Sequence, residues 1–355
     1  MKVIIDGFWL VSGPPSGRMV VRETIRAWKQ IHPEDHLSVL VPRREQARVR
    51  RDHPDVEVLG TRAPLHPIAA AVALPLVARR SNADLVLSQN FAPLLKGTRS
   101  AVFVHDVLFQ SNPGWFTRSE RVYLSLIPAL LSRADRVLTS SSTEAHRIRQ
   151  HNPRLGDVVP TGLGISSAML TDSPSRAVED LTPGRFLLTV GRLNVRKNLS
   201  TTIEAAVASG RISREHPLVV VGEPSGRSEA LSVKVREAEA AGTVRFLGGV
   251  PDEQLRWLYE HCRLMLFLSR DEGWGLPPIE AANLGARVLV SDRPIFRETL
   301  EGVAAFVKSD DVEAVAEGVR GELDENRPRL HRTDTTRPLF SWAGMISAAR
   351  AVTEK

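Results

Sequence analysis

Leu264-Met-Leu-Phe-Leu-Ser-Arg-Asp-Glu-Gly-Trp-Gly-Leu-Pro-Pro-Ile-Glu-Ala-Ala-Asn-Leu-Gly285 is the stretch from which the architecture is read. Its first five residues are apolar without alternation, which predicts a strand covered on both faces, as in a parallel sheet. Gly273 and Gly275 flank Trp274 in a loop whose backbone is free to approach a ligand closely. Pro277 and Pro278 suit the first turn of the helix that follows, over 278–284. Strand, glycine loop and helix in that order make the repeating unit of a doubly wound α/β domain.

The same unit recurs outward in both directions. In the second half, strands are predicted at 186–190, 218–221, 244–247, 264–268, 288–291 and 304–307. Helices at 198–209, 228–241, 252–261, 278–284 and 310–322 separate them. The first half repeats the alternation, with strands at 3–6, 37–41, 85–87, 101–105, 136–139 and 158–160. Its helices are expected over 18–31, 67–80, 118–132 and 142–150. A Ser/Asp/Thr/Pro/Gly-rich passage over 165–184 joins the halves, 324–338 is polar, and a last amphipathic helix runs from 340 to 352. The expected fold is α/β, with two Rossmann-like domains over 1–170 and 171–338 facing across a cleft, and a closing segment over 339–355. A chain of 355 residues is long enough for two cores.

Composition excludes several classes. The apolar run 68–78 is interrupted by Pro75 and is too short to span a bilayer. No charged n-region, apolar core and cleavage site precede the first strand, so a cytoplasmic protein is expected. The single cysteine, Cys262, reads as a packed small hydrophobe and leaves no disulfide or cysteine-rich metal cluster. A net charge of +6 invites an anionic partner. The densest basic run, Arg43, Arg44, Arg48, Arg50 and Arg51, reads as a solvated face or a peripheral contact with an anionic membrane. Nucleic acid is not expected, because no aromatic residues are interleaved there for base stacking.

Two motifs carry chemistry. Glu272 and Glu280 stand eight positions apart, one before the loop and one inside the helix, and both can serve one ligand of nucleotide-sugar length. Gly191-Arg-Leu-Asn-Val-Arg-Lys-Asn198 follows the strand 186–190 and places Arg192 and Lys197 at the ends of a short loop that leads into a helix. Two cations beside a helix N-terminus are what a diphosphate leaving group requires. No Asp-x-Asp triplet occurs, so neither metal nor cofactor is expected.

Together these motifs resemble the large retaining glycosyltransferase family 4, of the two-domain GT-B fold. Phe246-Leu-Gly-Gly-Val-Pro-Asp252 is similar to the family segment beside the nucleotide base, and Gly285-Ala-Arg-Val-Leu-Val-Ser291 with Glu298 is similar to its downstream block. Arg287 departs from the proline usual there. In the first half, Val104-His-Asp106 resembles a His-Asp pair of a mannosyltransferase-like branch, and Ser12-Gly-Pro-Pro-Ser-Gly17-Arg18 takes the place of the glycine-rich first loop, with prolines between its glycines.

The resemblance implies roles. Arg192 and Lys197 grip the donor diphosphate, Glu280 meets the ribose, and Glu272 meets hydroxyls of the transferred sugar. Gly17, Gly191, Phe246, Leu247, Gly273, Trp274, Gly275 and Leu276 complete the donor site. His105 approaches the sugar from the other domain, and Asp106 orients it or meets the acceptor. Domain closure assembles the site, the first domain takes the acceptor, the second holds the donor, and the closing helix packs back on the first. The implied reaction moves a hexose, mannose foremost, from a nucleoside diphosphate sugar to a glycan or lipid-linked acceptor with retention. The alternatives are a non-catalytic sugar-nucleotide-binding protein or a sugar-nucleotide epimerase of the same fold. A dinucleotide-dependent oxidoreductase would need a Gly-x-Gly-x-x-Gly turn, and Gly13 and Gly17 do not give that spacing.

Overall fold

The structure, a computed structural model, describes residues 1–170, 172–228, 232–324 and 340–354. The chain divides into two units: Met1–Ser111, Arg118–Ser166 and Phe340–Lys355 form one, Asn112–Thr117 and Ser167–Leu339 the other.

In the first unit β1 (Lys2–Asp6), β2 (His36–Pro42), β3 (Glu57–Thr61), β4 (Leu85–Gln89), β5 (Arg99–Val104), β6 (Arg136–Thr139) and β7 (Val158–Pro160) form one sheet in the order β3-β2-β1-β4-β5-β6-β7. All of its pairings are parallel; Ile4 of β1 stands beside Ser38 on one side and Val86 on the other. Ile4, Leu40 and Val86 pack with Leu74 and Ala78 from the helix below them. In the second unit β8 (Leu187–Val190), β9 (Leu218–Val221), β10 (Val244–Gly248), β11 (Leu264–Phe267), β12 (Val288–Ser291) and β13 (Ala305–Val307) take the order β10-β9-β8-β11-β12-β13, again all parallel. Every strand expected from the sequence forms, its ends moved by at most two residues.

Strand β3 was not expected. Glu57 and Gly60 dilute its apolar content, and as the edge strand it buries only Val58 and Thr61 well. Prolines account for three of the departures among the helices. The run from His66 to Arg80 contains a π-turn at Ala69–Ala73, because Pro75 has no N–H to offer the Ala71 carbonyl; Leu94 N donates to that oxygen instead, at 2.8 Å. Pro128 splits the expected helix 118–132 into Arg118–Leu124 and Leu126–Leu131. Pro15 starts the helix Pro15–Ile31 three residues early, so Gly17 lies inside it rather than in a loop. The basic run forms a 3₁₀ turn at Arg43–Glu45 and a helix at Gln46–Asp52. Of the expected helix 228–241, Val233–Ala240 is helical, while 229–231 and the polar segment 325–338 lie outside the described residues.

The closing helix, Ala343–Arg350, packs against Pro15–Ile31 of the first unit. Trp342 Nε1 donates to Ile165 O at 3.1 Å, Thr24 Oγ1 reaches Met345 Sδ at 3.6 Å, and Arg350 Nε meets Asp35 Oδ2 at 3.2 Å.

Candidate active site

Strands β8 and β11 are neighbours at the centre of the second sheet, and the chain leaves them toward opposite edges. The ends of two such strands form the crevice in which open α/β sheets bind ligands. After β8, Gly191 adopts φ +153°, and a Cβ there would stand 2.9 Å from Lys197 Cε; glycine lets the lysine stem cross the backbone. Val195–Lys197 makes one 3₁₀ turn, Asn198 turns left-handed at φ +54°, and Leu199–Ala208 continues as a helix. Asn198 Nδ2 donates to Ser309 O at 2.9 Å, which holds the turn from outside. Arg270 N donates to Arg196 O at 2.8 Å and ties this loop to the one after β11.

That second loop delivers Glu272, which is 6% exposed. Lys197 Nζ donates to its Oε1 at 2.7 Å, and Arg196 Nη1 to its Oε2 at 2.6 Å. Lys197 Nζ also sits 4.5 Å from the Phe267 ring centroid. Burial would raise the Glu272 carboxyl, but Arg196 and Lys197 override it and hold it at about 2. Burial lowers the Lys197 ammonium to about 8 against the pull of Glu272, and Arg196 and Arg192 push the same way as burial. Both groups are therefore charged at neutral pH. Gly275, at φ +90°, caps the helix Leu276–Asn283, with prolines in its first turn. Glu280 is buried in that helix and accepts from the Tyr259 hydroxyl at 3.3 Å. Trp274, inside the loop, is buried. Phe246 packs against the core of this unit, and the pairing of β10 skips Leu247, so a bulge falls there.

The structure thus brings Arg192, Lys197, Glu272 and Gly191 together. Sequence reading missed Arg196, although it stands next to Lys197 in the quoted motif; only the 3₁₀ turn decides which side chain meets Glu272.

In the first unit, His105 follows β5 and Gln89 ends β4. His105 Nε2 lies 2.8 Å from Gln89 Oε1, and His105 N donates to Asn90 Oδ1 at 3.0 Å. Asp106 does not orient this ring: its Oδ1 accepts from Leu108 N at 3.2 Å, capping the turn that follows. Burial, with His66 adding to it, drives the His105 imidazole down to about 3. Asp6 and His66, also missed, pair at 2.6 Å between Asp6 Oδ2 and His66 Nε2. Gly17 has a packing reason of its own, since a Cβ there would stand 2.5 Å from Trp9 Cε3. Cys262 is buried.

Residues 175–336 match the model of glycosyl transferases group 1. The O-antigen chain mannosyltransferase B of Escherichia coli is 27% identical over 292 residues, 78% of this chain and 75% of that protein. The GDP-mannose:cellobiosyl-diphosphopolyprenol alpha-mannosyltransferase of Xanthomonas oryzae is 30% identical over 142 residues, covering 39% of this chain and 37% of that one. Among solved structures, a sucrose-phosphate synthase from Thermosynechococcus elongatus superimposes with a TM-score of 0.65 at 17% identity, over 99% of this chain and 94% of that one. Two parallel sheets, the motifs after β8 and β11 and these matches agree: residues 175–336 form a glycosyl transferases group 1 domain, and the chain has the GT-B architecture.

Proposed function

We propose that this hexosyltransferase moves a mannosyl group from GDP-mannose to a hydroxyl of a glycan or lipid-linked acceptor, with retention at the anomeric carbon. The observation that carries this reading is the buried Glu272 held between Arg196 and Lys197 at the ends of β8 and β11. As the C1–O bond breaks, negative charge collects on the departing diphosphate. Lys197, Arg192 and Arg196 are fixed cations there, and fixed charges stabilise that state without reorganisation. The acceptor oxygen bonds to C1 on the same face, and its proton passes to the departing phosphate oxygen.

Each Glu272 oxygen keeps a second lone pair, so it is able to accept a sugar hydroxyl while paired with its cations. Glu280 is assigned to the ribose, Phe246 and Leu247 to the base, and Gly273, Trp274, Gly275 and Leu276 to the sugar and phosphate. His105 is assigned to a substrate hydroxyl and Asp106 to the acceptor. Gly17 is kept as a donor contact through its backbone. The assigned chemistry uses no metal and no cofactor. The mannose donor and lipid-linked acceptor are supported by the names of the relatives found.

Peripheral membrane contact is part of the proposal. No helix among the described residues is long and apolar enough to cross a membrane. Ile68, Val72 and Leu76, four residues apart along one helical run, are 43%, 38% and 39% exposed, and Leu65 beside them is 59% exposed. Arg79 and Arg80 close that run. An apolar stripe ending in cations fits an anionic bilayer at its cytoplasmic face. The run 43–52 is less suited, because Glu45 and Asp52 lie within 3.8 Å of Arg44 and Arg48.

A thermal-shift screen of sugar nucleotides followed by transfer to a polyprenyl-diphosphate saccharide tests the reading. GDP-mannose should give the largest shift, and the product the donor's anomeric configuration. Donor binding without transfer to any acceptor would point to the non-catalytic alternative.

A further inference from the structure

Two imidazoles contact one indole at the C-terminal ends of the first sheet. Trp9 stands 4.9 Å from His105 and 5.1 Å from His66, centroid to centroid, and Phe103 meets His105 edge-on at 5.0 Å. The two rings have different polar partners. His66 faces the Asp6 carboxylate with Nε2 and the Tyr123 hydroxyl, 3.3 Å away, with Nδ1. His105 faces an amide oxygen, Gln89 Oε1.

An amide oxygen only accepts, so the nitrogen 2.8 Å from it must carry the proton. That fixes the Nε2–H tautomer and leaves a lone pair on Nδ1. Among the described residues, Nδ1 of His105 makes no hydrogen bond. Gln89 itself is fully buried, its backbone N–H donates to Asp6 Oδ2 at 3.3 Å, and its Nε2 has no hydrogen-bond partner. A half-satisfied buried amide is poor design for a core and calls for another reason to be there. Asn90, the next residue, is held left-handed at φ +61° while its side chain receives His105 N. Such strain persists where the surroundings over-determine a position.

We propose that Gln89 is a positioning residue: its amide oxygen holds His105 in the Nε2–H tautomer and presents Nδ1 as the acceptor for a substrate hydroxyl. The proposal rests on the glycosyl-transfer reading for the hydroxyl, but the tautomer is measurable without any substrate. The titratable groups around the cage are Asp6, His66 and Tyr123. Beyond them Asp106 caps Leu108, and Glu144, paired with Arg147, accepts from Val107 N at 2.7 Å. None of them hydrogen-bonds the His105 ring among the described residues, so Gln89 alone sets its proton.

Long-range proton–nitrogen NMR on the full-length protein with ¹⁵N-labelled histidine tests this, with His105→Gln identifying the peaks. The expected pattern is a neutral Nε2–H ring that does not titrate between about pH 5.5 and about pH 8. An Nδ1–H pattern, as a reversed amide would give, overturns the proposal. Gln89→Glu keeps an acceptor but adds a charge, so His105 should begin to titrate in that range and kcat should acquire a matching pH dependence. Gln89→Leu should mix the tautomers and lower kcat about tenfold or more, with the donor KM changed far less. If Gln89→Leu folds and keeps both the tautomer and the wild-type profile, the role is wrong. If no sugar nucleotide supports transfer, the functional reading fails while the NMR result still decides the tautomer.

Discussion

Lys197 Nζ lies 2.7 Å from Glu272 Oε1, and both groups are almost fully buried. A pair taken this far out of water is retained only where its attraction and extra hydrogen bonds offset the desolvation of both ions. Arg196 on the other carboxylate oxygen supplies that extra bond, and leaves the cluster with one net positive charge for an incoming diphosphate.

Lys197→Ala should reduce turnover about 100-fold or more, because a fixed charge on the leaving group is lost. Far-UV circular dichroism should be unchanged, since Glu272 keeps Arg196. A variant retaining most of its kcat contradicts the assigned role.

Glu272→Ala should behave differently. It leaves Arg196 and Lys197 buried without a counter-charge, which costs about 3–5 kcal/mol in urea unfolding. Pyrophosphate or GDP should then raise Tm more in this variant than in the wild type. Equal shifts would mean that the diphosphate does not reach these cations.

Donor binding should weaken as pH rises through about 8, where Lys197 loses its proton. Calorimetric titration of GDP from pH 7 to 9.5 is the measurement. The stability effect of Glu272 has the opposite sense. Its folded value of about 2 lies below the ordinary carboxyl value of 4.5, so its contribution is complete above 4.5 and drains away as pH falls toward 2. A GDP affinity flat across the alkaline range would show that Lys197 does not bear on the phosphates.

Gly17→Ala should destabilise the protein by about 1–3 kcal/mol, as an added methyl meets the Trp9 ring. Trp9→Val in the same chain should recover part of the loss. Wild-type stability in Gly17→Ala would remove the packing explanation.

Ile68→Glu with Leu76→Glu should abolish co-sedimentation with vesicles containing anionic lipid and leave transfer to a short water-soluble acceptor intact. Unchanged vesicle binding would transfer the membrane role to another face.

The strands flanking the site were legible because 264–268 is an unbroken apolar run and 186–190 is apolar apart from Thr189, the two ended by a serine and a glycine. Gly191, Lys197, Glu272 and Gly275 followed from their place at the strand ends. What escaped depends on contacts between residues far apart in the chain. Nothing local marks Asp6 as the partner of His66, sixty residues on. Gln89 reads as the polar end of a strand until the next strand lays His105 against it. Gly17 was placed in a loop because Ser12–Arg18 takes the place of the family's glycine-rich first loop, whereas Pro15 starts a helix. Asp106 was the nearest polar neighbour of His105 in the chain, but backbone direction turns it onto Leu108.

The return of Ala343–Arg350 to Pro15–Ile31 has a consequence during synthesis. The ribosome completes the first sheet about two hundred residues before it makes the helix that covers one of its faces, and vectorial folding proceeds at roughly 5–20 residues per second. The nascent first unit therefore waits for about 10 to 40 seconds with Thr24 and its neighbours uncovered. Chaperone dependence should fall on that interval and disappear in a circular permutant that translates the closing helix first.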